Sequence, residues 1–94
     1  MSKKYKLSED IFVRIDMNTA FVYDGCKKQI YKIPIILGMI LDAVRITART
    51  IEEIQNELLT PFCSDPVIQT HKEKIKDCTM NLLNKNLIII EKDS

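Results

Sequence analysis

At 94 residues, with 46% apolar and 29% charged residues and only two Gly and three Pro, the chain can bury one modest core and is neither disordered nor of low complexity. Its net charge of +1 supplies no global field that would draw it to nucleic acid or to an anionic membrane. Three cysteines, Cys26, Cys63 and Cys78, are odd in number and lack a CxxC spacing, so they do not make a disulfide framework.

The opening "MSKKYKLSED" has basic residues, but no apolar signal-peptide core follows it. The longest apolar run, "IPIILGMILDAV", holds a Pro and an Asp and falls short of the ~20 residues needed to cross a bilayer. These features lead us to expect a cytoplasmic protein with reduced thiols and no membrane association, built as one domain over residues 1–94.

The first third reads as strands. In "IFVRID", Ile11, Val13 and Ile15 alternate with Phe12, Arg14 and Asp16, the period-2 pattern of a half-buried strand. "MNT" is a turn signal through Asn18 and Thr19, and "AFVY" is a second short strand. Asp24-Gly25 then signals a tight hairpin in which Gly25 would supply positive φ. "KQIYKI" alternates again as a third strand. Short connections make the three an antiparallel meander.

The remainder reads as helices. Pro34 suits a first-turn position. Ile36, Met39, Ile40, Ala43 and Val44 recur at helical spacing and Leu37 and Leu41 widen the stripe, so the first helix is expected to be buried on most sides. Thr50 and Glu53 in "TIEE" form a capping box, and Ile51, Ile54, Leu58 and Leu59 make the stripe of the second helix. Asp65 and Pro66 would start a third helix running to about Asn86, with Ile68, Ile75 and Leu82 inward and Cys78, Thr79 and Leu83 at the margins. The closing "LIIIEKD" is rich in β-branched residues and is a possible short strand.

No catalytic constellation is visible. His71 is the single histidine, and Cys78 lies two helical turns away, about 10 Å at ~1.5 Å per residue, too far for a shared metal or a hydrogen bond. Each cysteine reads as a small buried hydrophobe. Two glycines cannot build a phosphate-cradling loop, and no P-loop, GxGxxG, HExxH or GxSxG occurs. The chain is therefore expected to have no enzyme activity of its own, no metal and no cofactor. Three helices with a flanking β segment also fit a winged-helix DNA-binding regulator acting through lysines such as Lys72 and Lys76. That helix has no arginine to read guanine, so nucleic acid is the weaker reading.

Taken together, "LSEDIFVRID", "DGCKKQIYKIP", "ILDAV…TARTIEEIQNELL" and "HKEKIKDCTMNLLNKNLI" resemble the PqqD-like proteins. These are the recognition elements of ribosomally made, post-translationally modified peptide pathways. The likeness runs from Leu7 to Ile90. Pro34 stands where many members carry Asn, and the turn after Val44 lacks their Asp-Gly. The resemblance implies an α+β, winged-helix-like fold with a three-stranded antiparallel sheet followed by three helices.

It also implies a function. A precursor's leader peptide would add as a strand to the third strand and lie against the third helix, for delivery to a separate modifying enzyme or leader peptidase. Carried onto this chain, the edge is Gln29, Ile30, Tyr31, Lys32 and Ile33, and the helix wall is His71, Lys74, Ile75 and Cys78. Lys32 and Lys74 would meet acidic leader residues. A homodimer through the same sheet edge is the other arrangement that would cover it.

Overall fold

The computed structural model describes residues 3–59 and 68–91, the latter without the side chains of Ile68 and Gln69. The expected roles of Cys63, Asp65, Pro66 and the Ile68 side chain lie outside the described residues. Elements follow in the order β1 (Lys4–Leu7), β2 (Ile11–Asp16), β3 (Thr19–Asp24), β4 (Gln29–Pro34), α1 (Ile35–Ala43), α2 (Ile51–Leu59), α3 (Ile68–Asn84) and β5 (Ile88–Glu91). Strands β2, β3 and β4 form an antiparallel sheet in that order. The fold is α+β, this sheet leading into three helices and a short closing strand.

The strand expected to be third is thus β4, because β1 precedes the meander. "KYKL" does alternate, with Tyr5 buried between exposed Lys4 and Lys6. Four residues of period 2 carry little weight alone, and the partner lies at the other end of the chain. β1 pairs antiparallel with β5, Tyr5 opposite Ile90 and Leu7 opposite Ile88. On its other side Tyr5 exchanges backbone hydrogen bonds with Arg49, at 2.7 and 2.9 Å.

Ser8 then locks this strand pair to the end of α3. Its hydroxyl donates to the Asn86 carbonyl at 2.7 Å and its N–H to the Leu87 carbonyl at 3.1 Å. α3 itself ends at Asn84, two residues before expectation. Asn86 takes a positive φ of 63°, and the N–H groups of Asn86 and Leu87 close back onto the carbonyls of Leu83 and Leu82, as in a Schellman stop.

Between β2 and β3 the turn forms as expected, a two-residue loop of Met17 and Asn18 with positive φ on Met17, at 53°. The second hairpin departs from the sequence reading: between β3 and β4 positive φ falls on Lys28, at 54°, while Gly25 keeps negative φ. That loop spans four residues, and Asp24 organises it by accepting from the N–H of Cys26 and Lys27 at 3.0 and 3.1 Å. Gly25 is needed for a different reason. Its N–H bonds the Asp10 carbonyl at 2.7 Å, so an added Cβ would sit 3.1 Å from that same oxygen.

Ile11, Ala20, Val22 and Ile33 are buried on the sheet face that meets α1, joined by Ile40, Leu41 and Ala43 from the helix. Pro34 ends β4 as the residue before α1, one position earlier than expected. Met39 is 40% exposed, so α1 is buried on fewer sides than its composition suggests. Gly38 faces Ala20 so closely that a Cβ there would collide with the Ala20 methyl.

Ile54, Leu58 and Leu59 carry the buried stripe of α2 as expected, with Ile51 half-buried. The capping box forms: Thr50 donates its N–H to Glu53 Oε1 at 2.9 Å, and Glu53 donates its N–H to Thr50 Oγ1 at 3.1 Å. In α3, Ile75 and Leu82 are buried, but Thr79 is central and wholly buried instead of marginal. Its hydroxyl donates to the Ile75 carbonyl at 2.8 Å, which satisfies the one polar atom it brings inside.

The Thr50 N–H is the largest influence holding the Glu53 carboxyl below its ordinary range. The folded chain therefore favours the ionised form. That contribution is complete above the unfolded pKa and fades as pH falls through the lower folded value. Glu53→Gln is expected to melt below the wild type at neutral pH, the gap closing below about pH 4. Thermal melts across that range measure it.

Candidate functional site

The open edge of β4 follows from hairpin parity. Met17 and Asn18 close a two-residue loop, so Asp16 and Thr19 form a hydrogen-bonded pair. Alternation along β3 then turns the backbone groups of Ala20, Val22 and Asp24 toward β4. Their partners Ile33, Tyr31 and Gln29 are occupied by this ladder. Ile30 and Lys32 are left aiming N–H and C=O at the free side. Five predicted edge residues thus reduce to two that offer backbone bonds.

The side chains sort by the same parity. Ile30 and Lys32 are exposed on the outer sheet face, away from the helices. Tyr31 is half-buried and Ile33 buried, and both pack on the core from the inner face. Burial first, and the Asp24 carboxylate second, push the Tyr31 phenol above its ordinary range. It stays neutral and can donate a hydrogen bond at any physiological pH.

Directly after Pro34, the wall changes from strand to helix. A pocket of about 400 Å³ opens among α1, α2 and α3, lined by Ile36, Met39, Leu58, Leu59, His71, Lys74 and Ile75. Three of the four predicted α3 residues meet here: His71 and Lys74 are exposed and Ile75 forms the buried floor. Cys78, one turn further on, is half-buried against the core and is not among the lining residues. The strand residues Gln29–Ile33 do not line this pocket either. The lining from α1 and α2 was missed because those residues read as core stripes; the signal was the excess of apolar positions on α1, more than one face can bury.

Gln55 and Lys72 fix α3 against α2, the Gln55 side-chain amide donating to the Lys72 carbonyl at 2.8 Å. Among the described residues, no group of three or more His, Cys, Asp or Glu could hold a metal ion, and no helix is long and apolar enough to cross a membrane.

Cys26 corrects the reading of the cysteines as buried hydrophobes. It is exposed at the β3–β4 turn, because the four-residue loop carries it out of the sheet. Its thiol donates to Asp10 Oδ2 at 3.4 Å. That bond, reinforced by the Asp10 charge, raises the thiol above its ordinary value and suppresses the nucleophilic thiolate. Asp10→Asn keeps a residue that tolerates the positive φ of 64° found there. The variant is expected to alkylate faster at Cys26 at pH 8, read by mass mapping of the Cys26 peptide.

No protein-family model and no curated protein matches the sequence. Among solved structures, the chain is similar to TbiB1 in complex with the TbiA(beta) leader peptide, with a TM-score of 0.63 and 16% sequence identity. The match covers 95% of this chain and 98% of that one. At this identity the likeness is one of fold, and it extends over nearly the full length of both chains.

Proposed function

We propose that this protein is a non-catalytic, PqqD-like recognition module that binds a precursor's leader peptide as an added strand on β4 and presents it to a modifying enzyme or leader peptidase. The observation that carries this reading is the β4 edge, unpaired among the described residues, with the α1/α2/α3 pocket just beyond its end, on a fold shared with a protein solved in complex with a leader peptide. Backbone groups of Ile30 and Lys32 would supply the strand bonds, and alternate peptide side chains would enter the apolar wall around Tyr31 and Ile75. Lys32 and Lys74, both exposed, would act as rim charges that set encounter rate and register.

The DNA-binding alternative gains nothing from α3. Lys72 and Lys76 share one face of the helix there, but Glu73 and Asp77 line the face beside it, so a phosphate backbone laid on those lysines would also meet two carboxylates. Titration of the labelled protein with the leader of a precursor peptide from its own genome tests the proposal. Amide shifts confined to 29–33 and α3 are expected. Absence of binding at high micromolar peptide, or shifts confined to β2, would refute it.

A further inference from the structure

Six outward side chains of the three-stranded sheet stand in two rows that cross all of its strands. Phe12 on β2 lies opposite Tyr23 on β3, which lies opposite Ile30 on β4. Two residues along, Arg14 lies opposite Phe21, and Phe21 opposite Lys32. All six are exposed. The first row is in contact from its start, the Phe12 and Tyr23 ring centroids being 6.1 Å apart. Both rows end at the β4 edge, where Ile30 is 70% exposed.

A strand added at that edge continues the rows. Ile30 and Lys32 aim their backbone groups at the open side, so each would form a hydrogen-bonded pair with the guest residue directly opposite. Residues in such a pair point to the same face, with Cβ atoms about 4.5–5.5 Å apart. The guest residue between them turns inward beside Tyr31. Every pairing already in this sheet is antiparallel, and antiparallel ladders are the more stable per residue. In that direction the guest meets Lys32 first and Ile30 two residues later.

The chemistry at each row end is local. Ile30 closes an apolar row, and a large apolar guest side chain beside it would cover the exposed aliphatic surface. Lys32 forms no ion pair with a described residue, and its row holds a second cation, Arg14, and no anion. Asp16 lies two strands across from it, and Asp24 one strand across and three residues nearer the turn. At ~3.4 Å per residue and ~4.8 Å per strand, both are about 10 Å or more away along the backbone. Glu9 and Asp10 lie further still, before the start of β2. Salt screens charges at that range, whereas a guest carboxylate opposite Lys32 would occupy the adjacent cross-strand position.

From these rows we infer that the leader segment bound at β4 reads acidic–any–apolar from its N- to its C-terminal side. Asp or Glu stands opposite Lys32, and a large aliphatic or aromatic residue opposite Ile30. The inference rests on the strand-addition reading of β4 and gives it a direction, a register and a side-chain pattern. The converse order would set a carboxylate beside Ile30 and an apolar side chain beside Lys32.

The probe is a synthetic leader of a precursor peptide from the protein's own genome, bound to labelled protein. Nuclear Overhauser contacts to the Ile30 and Lys32 amides identify the guest residues opposite them, which should show this pattern. Replacing the acidic residue with Lys should weaken binding about fivefold at low salt. Lys32→Glu should restore that peptide to within about twofold of the original pair. Replacing the apolar residue with Asp, or exchanging the two residues, should weaken binding about tenfold or more. A thermal melt checks that Lys32→Glu, an exposed substitution, is folded.

Three results would overturn the inference and leave strand addition at β4 standing: a paired leader that lacks either residue at its position, an exchanged peptide that binds as well as the original, or a charge swap that Lys32→Glu does not rescue. Binding without contacts at Ile30 and Lys32, or no binding at all, would remove the β4 reading and the inference with it.

Discussion

Gly38→Ala is expected to destabilise the protein by about 1–3 kcal/mol, against the normal sign of this substitution. In an open helix interior, Ala is favoured over Gly by about 1 kcal/mol. Here the added methyl would overlap the Ala20 methyl on β3, since α1 crosses the sheet at this point without space for both. Each kcal/mol corresponds to about 4–8 °C in a domain of this size, so a thermal melt resolves the effect. Ala20→Gly in the same chain should recover most of the loss by restoring room at the contact. The interaction between the two changes should be at least about 1 kcal/mol in a double-mutant cycle. If Gly38→Ala melts at or above the wild type, the close approach of α1 to β3 is wrong. Such a result would also undermine the candidate site, because α1 supplies Ile36 and Met39 to the pocket and continues directly from β4.

The second large effect concerns the β4 backbone. Lys32→Pro removes an N–H that parity directs at the open edge, whereas Tyr31→Pro removes one that bonds β3. Proline is tolerated on the solvent side of an edge strand and not within a ladder. Lys32→Pro should therefore leave the fold close to wild-type stability but weaken leader binding by about tenfold or more, since the peptide carbonyl loses its donor. Tyr31→Pro should cost about 2–4 kcal/mol of stability. Lys32→Ala separates the charge from the backbone: it should reduce binding by only a fewfold and chiefly at low salt. Isothermal titration of the three variants, with melts alongside, reads all of these outcomes. Equal loss in Lys32→Ala and Lys32→Pro would mean that Lys32 acts through its ammonium and that strand addition on β4 is the wrong geometry.

Features set by a few neighbouring residues were legible. The alternation of "IFVRID" and "KQIYKI" located β2 and β4, and Thr50 with Glu53 located the start of α2 to the residue, because a capping box is closed by side chains three positions apart. Features that depend on a distant partner were not. "KYKL" becomes a strand only because "IIIE", at the other end of the chain, pairs with it. Cys26 looked like a core residue by type, but the turn that exposes it is set by Asp24 and by the approach of Gly25 to Asp10.

The candidate site divides along the same line. Composition and period gave the strand and the helix, and the resemblance to the PqqD-like proteins pointed to an edge at 29–33 and a wall on α3, but neither could say which strand residues face outward, which bond β3, or which helices complete the pocket. Register decided the first two, since a shift of one residue exchanges every backbone and side-chain direction in a strand. Packing of α1 and α2 against α3 decided the third. By itself the sequence determined the element types from β2 to α3, the antiparallel meander and the absence of familiar catalytic motifs, because these are written in local periodicity and residue chemistry. Only the tertiary structure decided that Ile30 and Lys32 hold the open backbone groups, that Gly38 seats α1 on Ala20, and that Phe12, Phe21, Tyr23 and Ile30 converge on one uncovered face. Each of these depends on contacts between segments that no local pattern encodes.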